Sequence, residues 1–238
     1  MNTNPLLRTK RVIMFQETRK WVFDLKLYSD NTISRFKARL CGRGFTQVKG
    51  VHYTETYSPV GSYASLRILL AIAAILDMEI SYADFTTAFL NGILQEDLYI
   101  MSPEGTDDPP LLLKLQKALY GLKQASAEWY KTIRDRLIEL GYHQVNYDES
   151  VFVRIHKGVK SFAWLYVDDL LLFTAKYRID NISSDIAAFR KHYKMKDPIH
   201  FTKEIFLLRI IQRDRKKRTI SLRQHKHIEA LLARFPLG

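Results

Sequence analysis

Two adjacent aspartates, Asp168 and Asp169, interrupt an apolar run. Leu165, Tyr166 and Val167 precede them, and Leu170, Leu171 and Leu172 follow. Taking two neighbouring carboxylates out of water costs several kcal/mol each unless something pairs with them. A tight turn is one reading, since Asp favours turns. The strand-forming flanks support a second: a short acidic turn, held rigidly by a hydrophobic hairpin, that fixes a divalent cation. A further acid, Asp84, sits where the short strand read over Met78–Ala83 ends. It is either the N-cap of a helical segment that follows or a third metal ligand. If Asp84 and Asp168 lie side by side on adjacent strands, they can jointly hold Mg²⁺. Two such ions can activate an attacking oxygen and stabilise a leaving phosphate oxygen. Spacing along the chain does not establish that proximity.

The elements around these acids follow from periodicity. Met78–Ala83 predicts a short strand, and Thr86–Leu90 a helical segment stopped by Asn91-Gly92. Val151–Ile155 and Phe162–Val167 predict an antiparallel hairpin about His156-Lys157-Gly158, with Leu170–Phe173 resuming the apolar run. Ser65–Leu76 predicts a helix capped by Ser65, with Leu66, Leu69, Leu70 and Ala73 on one face. Ala125–Leu140 predicts an amphipathic helix lined by Trp129, Ile133, Leu137 and Leu140 and ended by Gly141. Ile182–Tyr193 and His225–Phe235 read as helices. Ile205–Ile211 and Thr219–Leu222 read as a hairpin around Asp214–Lys217.

Upstream, Trp21, Phe23, Leu25 and Leu27 alternate with polar residues, and Ser29-Asp30-Asn31 supplies a turn. The return stretch carries Arg35, Lys37, Arg39 and Arg43, four cations at odd spacing. Two readings stay open: an edge strand protected by charge, and a basic finger over a polyanion. Phe36, Leu40 and Phe45 do not keep a clean opposite face. Strands and helices mix without regular alternation, which predicts an α+β fold.

Composition narrows the function. The 238 residues hold 37 basic and 25 acidic side chains, a formal charge of +12. That excess favours polyanionic partners, nucleic acid first and an anionic membrane second. With 47% hydrophobic residues the chain is globular, and a single cysteine, Cys41, excludes a disulfide scaffold or a Cys-rich zinc site. The longest apolar run, Ile68–Leu76, falls well short of the ~20 residues of a membrane span. Arg213–Arg218 reads as a nuclear-import patch, a phosphate contact or a solvated hairpin turn.

Six ordered motifs carry a resemblance: KWVF (20–23), FKARLCGRGFTQ (36–47), YSPV (57–60), ADFTTAFLNG (83–92), ALYGLKQA (118–125) and LYVDD (165–169). Together they resemble the reverse transcriptase domain of copia-type (pseudovirus) LTR retrotransposons, over roughly residues 19–235. The resemblance implies a right-hand polymerase: an antiparallel palm sheet packed on helices, with fingers and part of a thumb. The expected division is an atypical segment at 1–18, fingers at about 19–60 and 93–125, palm at about 61–92 and 126–200, and palm end with the start of a thumb at about 201–238.

The implied activity is RNA-directed DNA synthesis. Asp84 and Asp168, assisted by Asp169, would bind two Mg²⁺ ions, with Mn²⁺ as a substitute. Phe89 would exclude a ribose 2′-hydroxyl. Gln124 and Gly121 would contact the incoming nucleotide or its template base, and Lys37, Arg39 and Arg43 its triphosphate. Tyr166 and Val167 would position primer and template. Partners would be RNA or DNA template, primer and deoxynucleotides, with no membrane. The expected location is intracellular, in a cytoplasmic virus-like particle or the nucleus. Ser126 and Ala127 stand where the family usually has Pro-Arg, and Leu207-Leu208 where it has Leu-Gly. Residues 1–18 do not resemble the family, and its integrase and ribonuclease H regions are absent from this sequence. The alternative is a catalytically inactive, nucleic-acid-binding relic of such an element.

Overall fold

The structure is a computed structural model that describes residues 13–14, 19–27, 32–103, 105–106, 109, 111–200, 203–206 and 209–235. The expected turn at Ser29–Asn31, the segment 1–18 apart from Ile13-Met14, and Leu207-Leu208 lie outside the described residues. In chain order the elements are β1 (Ile13–Met14), β2 (Arg19–Leu27), β3 (Ile33–Gly42), α1 (Tyr63–Ile75), β4 (Met78–Asp84), β5 (Leu98–Met101), β6 (Leu112–Lys114), α2 (Ala125–Glu139), β7 (His143–Val145) and β8 (Asp148–His156). They continue with β9 (Val159–Tyr166), β10 (Asp169–Ala175), α3 (Ile179–Arg190), β11 (Ile199–His200), β12 (Lys203–Phe206), β13 (Arg209–Asp214), β14 (Thr219–Arg223) and α4 (His225–Arg234). The fold is a mixture of α and β with predominantly antiparallel sheets. The chain divides into two units, Met1–Ser58 with Ala88–Thr132, and Pro59–Thr87 with Ile133–Gly238.

The second unit is built on a six-stranded sheet of order β11-β4-β10-β9-β8-β7. Opposed residues in an antiparallel ladder share a face. One face therefore carries Met78, Ile80 and Tyr82 of β4, Leu171 and Phe173 of β10, and Trp164 of β9. It packs on Leu66, Leu69, Leu70 and Ala73 of α1, the helix stripe the sequence predicts, and on Ile211 of β13. Ala83, Leu170, Leu172, Ala163 and Leu165 point the other way and are also buried. Helix α3 packs on β4 and β10 and buries Ile182, Ile186 and Phe189.

Three local expectations change. Helix α1 is capped by Ser62, whose hydroxyl accepts from the Ser65 N–H, while the Ser65 hydroxyl donates to Asp148. Two serines three apart satisfy the same pattern, and the upstream one takes the cap. The stretch after Asp84 forms only a 3₁₀ turn, Ala88–Asn91. Ile205–Ile211 is not one strand, because it divides between β12 and β13, which pair with each other. The cations at 213–218 are not all solvated either. Arg213 donates to the Met78 and Ala73 carbonyls and to Asp77, and Arg215 bridges Asp77 and Glu79.

In the first unit β2 and β3 form a ribbon whose pairing separates its faces. Lys20, Val22, Asp24 and Lys26 stand opposite Cys41, Arg39, Lys37 and Arg35. Trp21, Phe23 and Leu25 stand opposite Leu40, Ala38 and Phe36. The apolar face is cleaner than the sequence suggests, because β3 ends at Gly42. Phe45 then falls in a 3₁₀ turn (Gly44–Thr46) and no longer obeys strand parity. Arg43 leaves the strand for the same reason.

Candidate functional site

Within the second unit, β4 and β10 run antiparallel and bring the acids together. Asp169 is the direct cross-strand partner of Asp84, which puts their Cα atoms about 4.5–5.5 Å apart. Asp168 occupies the β9–β10 turn, and its carbonyl accepts from the Phe85 N–H at 3.4 Å. The turn has two residues, Val167 and Asp168, between the paired Tyr166 and Asp169. Val167 adopts φ 58°. A β-branched residue in the left-handed region is strained and persists only where its surroundings over-determine it. The tight turn expected at Asp168-Asp169 thus falls one residue earlier, at Val167-Asp168, and it is Asp169 rather than Asp168 that stands directly opposite Asp84.

The electrostatics mark a crowded acid group. Burial raises the Asp169 carboxyl to about 6, the charges of Asp168 and Asp84 add to the rise, and a hydrogen bond from Tyr82 opposes it. Tyr82 donates to Asp169 Oδ1, and burial first, then that carboxylate, raises its phenol well above the usual tyrosine range. Lys196 Nζ ion-pairs with Asp84 Oδ2. Its backbone is fixed there, since the Lys196 N–H donates to the Asp84 carbonyl at 3.1 Å and Thr86 N–H to the Lys194 carbonyl at 2.8 Å. Hard carboxylate oxygens suit Mg²⁺ or Mn²⁺ in donor chemistry. With Asp84 turned to Lys196 and Asp169 to Tyr82, no group of three His, Cys, Asp or Glu among the described residues closes on one point. Tyr166, on the same face, packs its ring against Trp164 at 5.6 Å and Tyr63 at 6.3 Å.

The first unit holds the other candidate residues. Lys37 and Arg39 lie on the basic face of the ribbon. Burial, then Arg39, Lys26 and Arg35, hold the Lys37 ammonium below its usual range. The Arg39 guanidinium lies 6.0 Å over the Tyr120 ring, and Phe89 packs against the other member of that contact, Tyr120, at 5.4 Å. Tyr120 thus links two residues chosen from the sequence, though nothing in its spacing singled it out. Arg43 is exposed, and its carbonyl receives the Thr46 hydroxyl at 3.0 Å.

Gly121 and Gln124 serve the chain's own packing here. Gly121 has φ 85°, and a Cβ on it would sit 2.1 Å from the Gly42 carbonyl oxygen. Gly44 N–H donates to the Gly121 carbonyl at 3.1 Å, so β3 leaves the ribbon by crossing this turn at backbone contact. Gln124 is wholly buried. Its amide donates to the His52 carbonyl at 3.1 Å and accepts from Gln47 Nε2 at 3.0 Å. Gln47 in turn accepts from the Lys123 N–H at 2.7 Å. Sequence reasoning missed Gln47, Tyr82 and Lys196. Only Tyr82 left a signal, since it shares strand parity with Asp84.

Comparison with known proteins adds an independent line. Residues 10–238 match the model of the family described as Reverse transcriptase (RNA-dependent DNA polymerase), so the match begins inside the 1–18 segment in which the motifs alone showed no resemblance. Among relatives, the Retrovirus-related Pol polyprotein from transposon TNT 1-94 of Nicotiana tabacum is 38% identical over 221 residues, covering 91% of this chain and 16% of that protein. The Pol polyproteins from transposons RE1 and RE2 of Arabidopsis thaliana are 36% and 33% identical, each across 90% of this chain and 14% and 15% of their own length. The chain therefore spans about a sixth of the relatives it matches. A solved apo telomerase from Candida tropicalis, truncated from its C-terminal domain, superposes with a TM-score of 0.47 at 10% identity, over 87% of this chain and 55% of that one.

Proposed function

The chain belongs to the reverse transcriptase (RNA-dependent DNA polymerase) family, and from that premise we propose that it extends a DNA primer on an RNA or DNA template within a copia-type retrotransposon Pol polyprotein. The observation that carries this reading is the cross-strand pairing of Asp84 with Asp169 beside the turn that bears Asp168. In this reading the six-stranded sheet is the palm, the ribbon and its neighbours are the fingers, and the β12–β14 sheet with α4 begins a thumb.

Asp84, Asp168 and Asp169 would hold two Mg²⁺ ions, or Mn²⁺ in their place. A metal held there would supply a lowered pKa for the primer 3′-hydroxyl and charge stabilisation at the α-phosphate. The protein's own residues do the rest. Tyr82 fixes the Asp169 carboxylate. Lys37, Arg39 and Arg43 neutralise the triphosphate of a deoxynucleotide. The Phe89 ring, steadied by Tyr120, offers a ribose 2′-hydroxyl no hydrogen-bond partner. Val167 and Tyr166 set the turn that meets the primer end, and Gly121 and Gln124 shape the loop beneath the nucleotide.

Primer extension on an RNA template by the full chain tests this. Extension that requires Mg²⁺ and is lost in Asp168→Asn is expected; none by a folded wild-type protein rejects it. The alternative reading is an inactive relic. A relic binds duplex in a salt-sensitive way that Asp84→Asn leaves intact or strengthens, with no turnover.

A further inference from the structure

Lys196 lies in the short stretch between α3 and β11, which runs antiparallel beside the end of β4. Met195 bridges to Phe85, and the backbone bonds at Lys194 and Lys196 pin the stretch from both sides. The ammonium reaches the carboxylate of Asp84 although the two residues are 112 apart in sequence. The side chain is 59% exposed, so its end can swing into solvent.

We propose that Lys196 is a positioning residue that competes with divalent cations for Asp84 and so sets the metal affinity of the acid group. This rests on the reading of Asp84, Asp168 and Asp169 as metal ligands and adds a regulator to it. Lysine and metal exclude each other at this carboxylate. A carboxylate oxygen engaged by an ammonium accepts a cation only if the ammonium withdraws, because two cations at ion-pair distance repel. The rigid backbone keeps the lysine's local concentration high, whereas the exposed side chain keeps its hold weak. Tyr82 acts differently. A phenol donating to Asp169 is neutral and leaves the carboxylate's remaining lone pairs available.

The test uses the full chain and Mn²⁺ as the probe, with free Mn²⁺ read by electron paramagnetic resonance and folding checked by circular dichroism. Lys196→Met is expected to bind Mn²⁺ roughly two- to fivefold more tightly than wild type, the range for relieving one partly exposed ion pair. Lys196→Arg is expected to bind like wild type, and Lys196→Gln serves if the Met variant does not fold. Added KCl is expected to narrow the gap between wild type and Lys196→Met. Equal or weaker binding by Lys196→Met, with binding abolished in Asp84→Asn, overturns the role of Lys196 and leaves the ligand reading standing. Mn²⁺ binding that Asp84→Asn and Asp169→Asn do not affect, or its absence from every variant, overturns both.

Discussion

Tyr82 donates its phenolic hydrogen to Asp169 across the β4–β10 ladder. The bond stands on the diagonal of the register that opposes Asp84 to Asp169. It partly offsets the burial that raises the Asp169 carboxyl to about 6. An acid with a raised folded-state value binds its proton more tightly folded than unfolded. Its contribution to stability is complete below the ordinary carboxylate range and is lost as pH rises through about 6. Asp169→Asn keeps an acceptor oxygen for Tyr82 and removes that loss. The variant is expected to melt higher than wild type at about pH 8, by the equivalent of about 1–2 kcal/mol after allowing for partial solvation, with the gap closing near pH 4. Thermal melts across that range check it, and a lower melting temperature at the alkaline end would contradict it.

Gly121 and Gly50 separate two costs that usually arrive together. Both have positive φ, 85° and 79°, but only at Gly121 does an added Cβ collide with backbone, while at Gly50 it meets nothing within 4 Å. Gly50→Ala should therefore cost about 1 kcal/mol, the conformational penalty alone. Gly121→Ala should cost about 2–4 kcal/mol, because the Gly42 crossing must open as well. Urea titrations of the two variants give the comparison directly, and equal costs would mean the crossing yields without resistance.

Arg154 and Asp185 form a buried ion pair in the second unit. Two parallel bonds of 2.7 and 2.8 Å join them, Tyr142 adds a third at 2.8 Å, and burial raises the Asp185 carboxyl against the pull of Arg154. Arg154→Met strands a buried carboxylate and is expected to destabilise by about 3–5 kcal/mol. Arg154→Met with Asp185→Leu is expected to cost clearly less than the single change, since neither charge is then left alone. A double variant that merely sums the single losses would show that the pair does not act as a unit.

The ribbon makes a prediction about salt. If Lys37 contacts a phosphate, Lys37→Gln lowers the slope of log affinity for a primer–template duplex against log salt by about 1. Phe36, 81% exposed on the opposite face, gives the control: Phe36→Ser should leave the slope unchanged. Fluorescence anisotropy over a KCl series reads both. An unchanged slope in Lys37→Gln would remove that residue from the phosphate-contacting set.

Local structure was legible in the order of residues. The apolar runs on either side of Asp168-Asp169 laid out two strands with an acidic turn between them, and the structure has β9, a turn at Val167-Asp168 and β10. The stripe on Ala125–Leu140 became α2, with Ile133 and Leu137 fully buried. The same local logic misplaced the cap of α1, because two serines fitted it equally, and it blurred the ribbon, because parity cannot be counted past a strand end that is not yet known.

Tertiary structure alone decided which distant groups meet. Nothing near Asp84 foretold Lys196, nothing near Gly121 foretold Gly42, and Gln124 gave no sign that Gln47 and His52 would occupy its amide. Periodicity and turn chemistry report on neighbours within a few residues, where backbone geometry leaves a small set of conformations. Cross-strand register and long-range ion pairs depend instead on which apolar faces close over which, a choice made by the whole chain at once.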